Sequence, residues 1–174
     1  ILTFWVSRMM VMGLHFMKEV PFKQVYLHGL IRTEDGKKMS KSSGTAIDPL
    51  EVIKNYGADA LRFTLMSLLT AGSQDIKLSE EKIKASRNFM NKIWNVSRFV
   101  LNFSQNTTDH QTYLSDQWIL SRFSNTFQTV TQKIEAYDFG AAAHALYDFV
   151  WGDFCDWYVE MFKLVGNPET LKKV

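Results

Sequence analysis

The segment Lys37-Lys38-Met39-Ser40-Lys41-Ser42-Ser43-Gly44 sets three lysines among small hydroxyls and a glycine. It is too polar and too basic for a core and reads as an exposed loop. Ammonium groups, hydroxyl donors and open backbone N–H groups together suit a polyphosphate. Negative charge grows on pyrophosphate as it leaves a nucleoside triphosphate, and lysines on a loop can follow it. A solvated basic turn accounts for the same residues, and most lysine clusters are of that kind. A P-loop does not. Gly29 and Gly36 are too far apart for G-x-x-x-x-G-K-[ST], and Lys37 is followed by Lys38 rather than Ser or Thr.

Other reactive side chains are sparse. His15, His28, His110 and His144 form no i, i+4 pair and no carboxylate-rich group. Metal sites need clustered ligands, so no protein metal site is expected. Cys155 is the single cysteine. It excludes an intrachain disulfide framework and a Cys-based zinc cluster. On an aromatic-rich helix it reads as a small buried hydrophobe, kept reduced in a cytoplasmic setting. The aromatic run from Phe149 to Tyr158 admits base stacking, but its helical spacing favours a core. Trp94 and Trp118 read the same way. Arg87, Lys92, Arg98, Arg122 and Lys133 suit solvated faces or local ion pairs, some of them with reach to nucleic-acid phosphates.

Several elements must position the loop. Val25-Tyr26-Leu27-His28-Gly29-Leu30-Ile31 is short, apolar and strand-like, as in a central strand of a parallel sheet covered on both faces. Asp35-Gly36 signals a turn. Asp48 and Pro49 suit an N-cap and first helical residue, with Gly57 ending that helix in the left-handed conformation. A second helix is expected from Ala58 to Leu69. From Ser79 onward the pattern is helical. Ile83, Met90, Ile93, Trp94, Val100 and Phe103 form one stripe, and 102–112 is polar. Ile119, Phe123, Phe127, Val130, Ile134 and Tyr137 make a seam on a helix expected over 116–137. Asp138 caps a last helix with the stripe Ala142, Leu146, Val150, Phe154, Trp157 and Met161. Such helices suit a bundle. The division is α/β over 1–78 and all-α over 79–174.

The 174 residues carry a net charge of +2, with 46% hydrophobic and 22% charged residues, which excludes a disordered chain. The pI near 8.6 permits a nucleic-acid partner without requiring one. The apolar opening is interrupted by Ser7, Arg8, Gly13 and His15, so it falls short of a membrane span, and no signal peptide is recognisable. No initiator Met opens the chain and no tail closes it, so an excerpt from a longer protein is expected.

Lys38-Met39-Ser40-Lys41-Ser42 is, letter for letter, the KMSKS signature of the class I aminoacyl-tRNA synthetases. Phe4-Trp5-Val6-Ser7-Arg8-Met9 and His28-Gly29-Leu30 precede it as in the valyl, leucyl and isoleucyl subgroup. Asp48-Pro49, Tyr56-Gly57-Ala58-Asp59-Ala60-Leu61-Arg62 and Arg87-Asn88-Phe89 follow in order. The chain resembles that family along essentially its whole length. Gln74-Asp75-Ile76-Lys77 and Phe154-Cys155-Asp156-Trp157-Tyr158-Val159-Glu160 look most like the valyl branch. Thr45 departs from the Asn usual at its place.

The resemblance implies the C-terminal half of a Rossmann-like catalytic domain, followed by the first helices of an anticodon-binding bundle. It implies ATP with Mg²⁺, L-valine and tRNA(Val) as partners, no membrane, and a monomer. Lys38 and Lys41 would act on the ATP phosphates, Lys41 foremost. Met39, Ser40 and Ser42 would hold the loop near the nucleotide. His28 and Gly29 would lie at its adenosine end, and the stretch from Leu2 to Trp5 beside the amino-acid pocket. Mg²⁺ would ride on the phosphates. The HIGH signature and the editing domain would lie upstream, and no H-I-G-H occurs here, so the chain alone would be inactive. An isoleucyl or leucyl enzyme, or a non-catalytic RNA-binding derivative, are the other readings.

Overall fold

The computed structural model describes residues 1–39, 44, 47–69, 75–103 and 111–174. The chain begins with helix α1, residues 2–17, α-helical over Ser7–Met12 and wound in the wider π form over Leu2–Val6 and Gly13–Met17. Lys18 ends it in the left-handed region at φ 63°, and its Nζ donates to the His15 carbonyl at 2.8 Å. None of its residues is buried; Phe4, Trp5, Met12 and Phe16 stand open to solvent.

The expected strand over Val25–Ile31 contracts to β1, Ile31–Arg32. β1 pairs in parallel with β2, Ile76–Lys77, in the register Ile31↔Ile76 and Arg32↔Lys77. The parallel relation agrees with the sequence reading, but the double cover does not. Val25, Tyr26, Leu27, Leu30 and Ile31 remain exposed, because β2 is the one partner strand among the described residues.

Helix α2, Pro49–Tyr56, starts as its sequence dictates. Asp48 Oδ1 accepts from Leu50 N at 2.9 Å and Pro49 takes the first turn. Gly57 follows with φ 95° and ψ 151°, so the positive φ is right but the conformation is extended rather than left-handed helical. The chain needs this wider turn because α3, Ala58–Ser67, starts at the next residue. Val52, Leu78 and Ile83 form a small core, with Met39, Ile47, Leu61 and Leu65 against it.

The helical region begins with α4, Glu80–Phe103, directly after Ser79 and with Glu80 and Glu81 against its dipole. It continues with α5, Leu114–Glu135, two residues earlier at each end than the spacing suggests. Next is α6, residues 139–162, α-helical over Phe139–Asp148 and Val159–Phe162 and π-wound over Phe149–Tyr158. Asp138 caps it as expected, accepting from Ala141 N at 3.4 Å. A short α7, Pro168–Lys173, closes the chain; Asn167 Oδ1 accepts from Glu169 N at 2.8 Å and Pro168 takes the first turn.

The main core gathers Ile119, Phe149, Phe154, Cys155, Tyr158 and Phe162, with Leu171 from α7. The stripe read on α6 holds at Ala142 and Phe154 but fails at Leu146 and Trp157, which are exposed. Trp157 lies in the π-wound part, where each turn takes in more residues and a 3.6-residue template drifts off the buried face, whereas Leu146 lies ahead of it on the α-helical part. On α4, Phe89 and Ser86 are buried where Trp94 was expected, and Trp94 is 68% exposed. On α5 the seam is buried at Ile119 and half-buried at Phe123 and Val130; Phe127, Ile134 and, past its end, Tyr137 are exposed.

Within this core Asp116 is fully buried. Its carboxylate accepts from Tyr158 Oη at 2.7 Å, from Tyr113 N at 2.8 Å and from Asn167 N at 3.2 Å. One side chain thus ties together the start of α5, the π-wound part of α6 and the approach to α7. Burial, then the Asp116 hydrogen bond, push the Tyr158 phenol far above its usual range.

The two regions meet at α3, which packs on α4 and α6. Thr64 and Ser86 share a buried 2.7 Å hydroxyl hydrogen bond there. Tyr26, just ahead of β1, stacks on Tyr137 at 6.0 Å and meets Phe139 edge-on at 5.4 Å.

Candidate functional site

The lysine segment starts from a tight reversal. After β1, Thr33 N donates to the Lys37 carbonyl and Gly36 N to the Thr33 carbonyl, both at 2.9 Å. Lys37 N returns to Thr33 Oγ1 at 3.1 Å. Gly36 supplies the positive φ, 80°, that an Asp-Gly turn calls for. Arg32 and Lys38 then face each other across an antiparallel bridge.

From that bridge the side chains alternate, as extended backbone requires. Lys38 is exposed, whereas Met39 turns inward against the core of Val52, Leu78 and Ile83. Below Met39 lies an apolar cavity of about 310 Å³, walled by Ile31, Ile47, Val52 and Leu61 among others. It offers a phosphate nothing. An anion belongs on the open side, with the Lys38 ammonium. Ser40, Lys41 and Ser42 lie outside the described residues.

Gly29 is buried and His28 exposed, with His28 Nδ1 2.9 Å from the Gly29 carbonyl. Both immediately precede β1, so one stretch of backbone leads from them through Arg32 to Lys38. Leu2 and Trp5 are exposed on α1, 53% and 66%. Among the described residues no hydrogen bond, ion pair or ring contact joins them to the lysine turn.

Sequence reasoning missed the residues that hold the turn. Asp75 accepts from Arg32 Nε through Oδ2 and from Leu30 N through Oδ1, the latter at 3.2 Å. Arg32 Nη1 also donates to the Gly36 carbonyl at 3.2 Å. The Arg32 hydrogen bond holds the Asp75 carboxyl below the usual carboxylate range, with a smaller contribution from the Leu30 N–H. Asp75 stood in a recognisable stretch, but nothing local marks a partner 43 residues away.

In the helical region Lys92 sits over the Trp151 ring at 4.0 Å and pairs with Asp156 at 2.6 Å. Arg122 pairs with Asp153 at 2.8 Å and Lys133 with Asp138 at 2.9 Å. These three cations therefore make the local ion pairs that the sequence allowed. Cys155 is buried, and burial raises its thiol pKa. Among the described residues no three His, Cys, Asp or Glu side chains gather in a metal-binding group, and no helix is long and apolar enough to cross a membrane.

Residues 1–79 match the family described as tRNA synthetases class I (I, L, M and V), and residues 116–173 the anticodon-binding domain of tRNA ligase. A valine–tRNA ligase of Bacillus thuringiensis subsp. konkukian is 50% identical over 99% of this chain and 20% of its own. That of Geobacter sulfurreducens is 53% identical over 94% and 19%, and that of Aquifex aeolicus 48% identical over 94% and 14%. The chain thus spans about one fifth of the length of the relatives it matches. A LeuRS from Agrobacterium radiobacter K84, crystallised as a ternary complex with tRNA and LeuAMS, superposes with a TM-score of 0.74 at 22% identity. The match covers 94% of this chain and 21% of that one, a likeness of fold. With both parts matched in order and valine–tRNA ligases half identical along its length, the chain belongs to the class I tRNA synthetases and, within them, to the valine–tRNA ligase family.

Proposed function

We propose that this chain is the lysine-loop half of a Rossmann-like catalytic domain, residues 1–78, joined to the first helices of an anticodon-binding bundle, 79–174. The longer enzyme containing it would activate L-valine with ATP and load it onto tRNA(Val). The observation that carries this reading is the intact Lys38-Met39-Ser40-Lys41-Ser42 run inside a chain half identical to valine–tRNA ligases throughout.

The first step forms a bond between a valine carboxylate oxygen and the ATP α-phosphorus. The bond from that phosphorus to the bridging oxygen breaks, and pyrophosphate leaves with the electron pair. Charge accumulates on the departing phosphates, where the Lys38 ammonium and that of Lys41 neutralise it. This is electrostatic stabilisation with positioning and uses no protein nucleophile. Exposure of Lys38 beside an inward Met39 is the arrangement such a role needs. Met39, Ser40 and Ser42 carry the loop, His28 and Gly29 serve the adenosine end, and Leu2 and Trp5 border the amino-acid pocket. Mg²⁺, when bound with ATP, would be held mostly by the phosphates and would share their charge with the lysines. The enzyme is read as a cytoplasmic monomer.

Amino-acid-dependent exchange of labelled pyrophosphate into ATP by the full-length enzyme tests the proposal. Valine should drive exchange fastest. Faster exchange with isoleucine or leucine overturns the valyl reading, and no exchange with any of the three overturns the catalytic one.

A further inference from the structure

We infer that Arg32 and Asp75 are positioning residues for the Lys38 ammonium in adenylate formation, an inference that rests on the function proposed above. β1 and β2 contribute two residues each. Strands that short do not hold their own register in water. Asp75 supplies what is missing. Its two oxygens take Leu30 N and Arg32 Nε, the residues on either side of Ile31, which is itself in register with Ile76. The backbone on the same edge completes the lock. Ile76 N donates to the Leu30 carbonyl at 2.8 Å and Leu78 N to the Arg32 carbonyl at 3.0 Å.

Arg32 then passes that register to the lysine turn. Its Nη1 holds the Gly36 carbonyl at 3.2 Å, and its backbone bridges Lys38. A shift of Arg32 therefore shifts Lys38, whereas Met39 has a separate hold in the apolar core. The guanidinium makes both side-chain contacts at once because its donors sit in a rigid fork. A lysine carries equal charge but cannot serve a carboxylate and a carbonyl in two directions with the same geometry. With side chains 32% and 36% exposed, the pair adds little to stability, as partly exposed ion pairs do. Its consequence is geometric, and displacing a catalytic group by about 1 Å can cost about 10²-fold in rate.

The test uses the full-length enzyme with Arg32→Lys, Asp75→Asn and the two combined. Pyrophosphate exchange gives kcat and the valine KM, and urea unfolding gives stability. Each single variant should lose about 10- to 100-fold in kcat. The valine KM should stay within about twofold, the signature of an interaction that matters at the transition state. The urea midpoint should stay near that of the parent. The double variant should be little worse than either single one, because both break the same strap. Exchange near the parental rate in both single variants overturns the inference, as does a loss of kcat that merely follows a loss of stability. A raised valine KM at unchanged kcat overturns it as well. If the unsubstituted enzyme shows no valine-dependent exchange, the proposed function falls and takes the inference with it; if it exchanges normally and the variants do too, the inference alone falls.

Discussion

Phe4, Trp5, Tyr26 and Leu30 lie open in the first 31 residues, whereas Phe149, Phe154, Tyr158 and Phe162 are shut inside the helical region. Both regions are rich in aromatics, so composition does not separate them. Neighbours do. α6 packs against α3, α4 and α5, while α1 makes no comparable packing with another described helix or strand and is approached at Gly13 by Pro21 from the segment just after it. A lone helix has no second surface against which to bury a face, and short strands with one partner each are little better placed. The lysine turn that follows the first 31 residues is likewise exposed, and it is held by a polar strap, Arg32 with Asp75. The helical region spends its apolar side chains on a core that holds itself together.

Substitutions should separate these two modes. The largest expected effect is kinetic. Lys41→Ala in the full-length enzyme should slow valyl-adenylate formation by about 10²–10³-fold, as loss of one transition-state donor does. Valine binding should change far less, measured by single-turnover rates beside equilibrium titration. Strong loss of valine affinity with normal turnover would break the assignment.

Next comes the core of the helical region. Asp116→Ala leaves Tyr158 Oη, Tyr113 N and Asn167 N without their buried acceptor. Urea unfolding should register a loss of about 3 kcal/mol. A loss under half that size would mean the three donors find other partners.

Gly140→Ala probes the seam between the regions. A Cβ there would stand 1.9 Å from the Leu69 carbonyl oxygen, a backbone atom with no rotamer to escape by. The end of α3 and the start of α6 must then part, at about 2 kcal/mol. Thermal unfolding would check it, and a neutral result would mean the seam is slack.

The smallest effect is one of pH. The folded Asp75 carboxyl is depressed by Arg32, so its contribution is complete above the ordinary carboxylate range. It is lost as the pH falls through the depressed folded value. Asp75→Asn should therefore lower stability slightly in the neutral region, leave the acid extreme unchanged and so flatten the acid limb of the stability curve, as urea unfolding across the pH range would show.

Much of the local structure was legible beforehand. Asp48 with Pro49, Asp138 and the Asp35-Gly36 turn behave as their side chains and backbone preferences require. Asn167 and Pro168 start α7 in the same way, although the sequence reading took the helix after Asp138 as the last. The buried faces were less legible. The α6 stripe slips at the π-wound turns, and Trp94 points outward although its spacing suited a core. Periodicity reports a face only when the pitch is known, and it does not report whether a neighbour arrives to cover that face.

By itself the amino-acid order determined the lysine segment, its turn and the helix caps. These depend on contacts within a few residues, where side-chain type and φ preference are enough. Only the tertiary structure decided that Asp75 reaches Arg32 and Leu30, that Asp116 sits beneath Tyr158 and Asn167, and that Tyr26 leans on Tyr137 and Phe139. Those partners lie tens of residues apart, and the free energy that joins them comes from packing whole elements together rather than from any local preference.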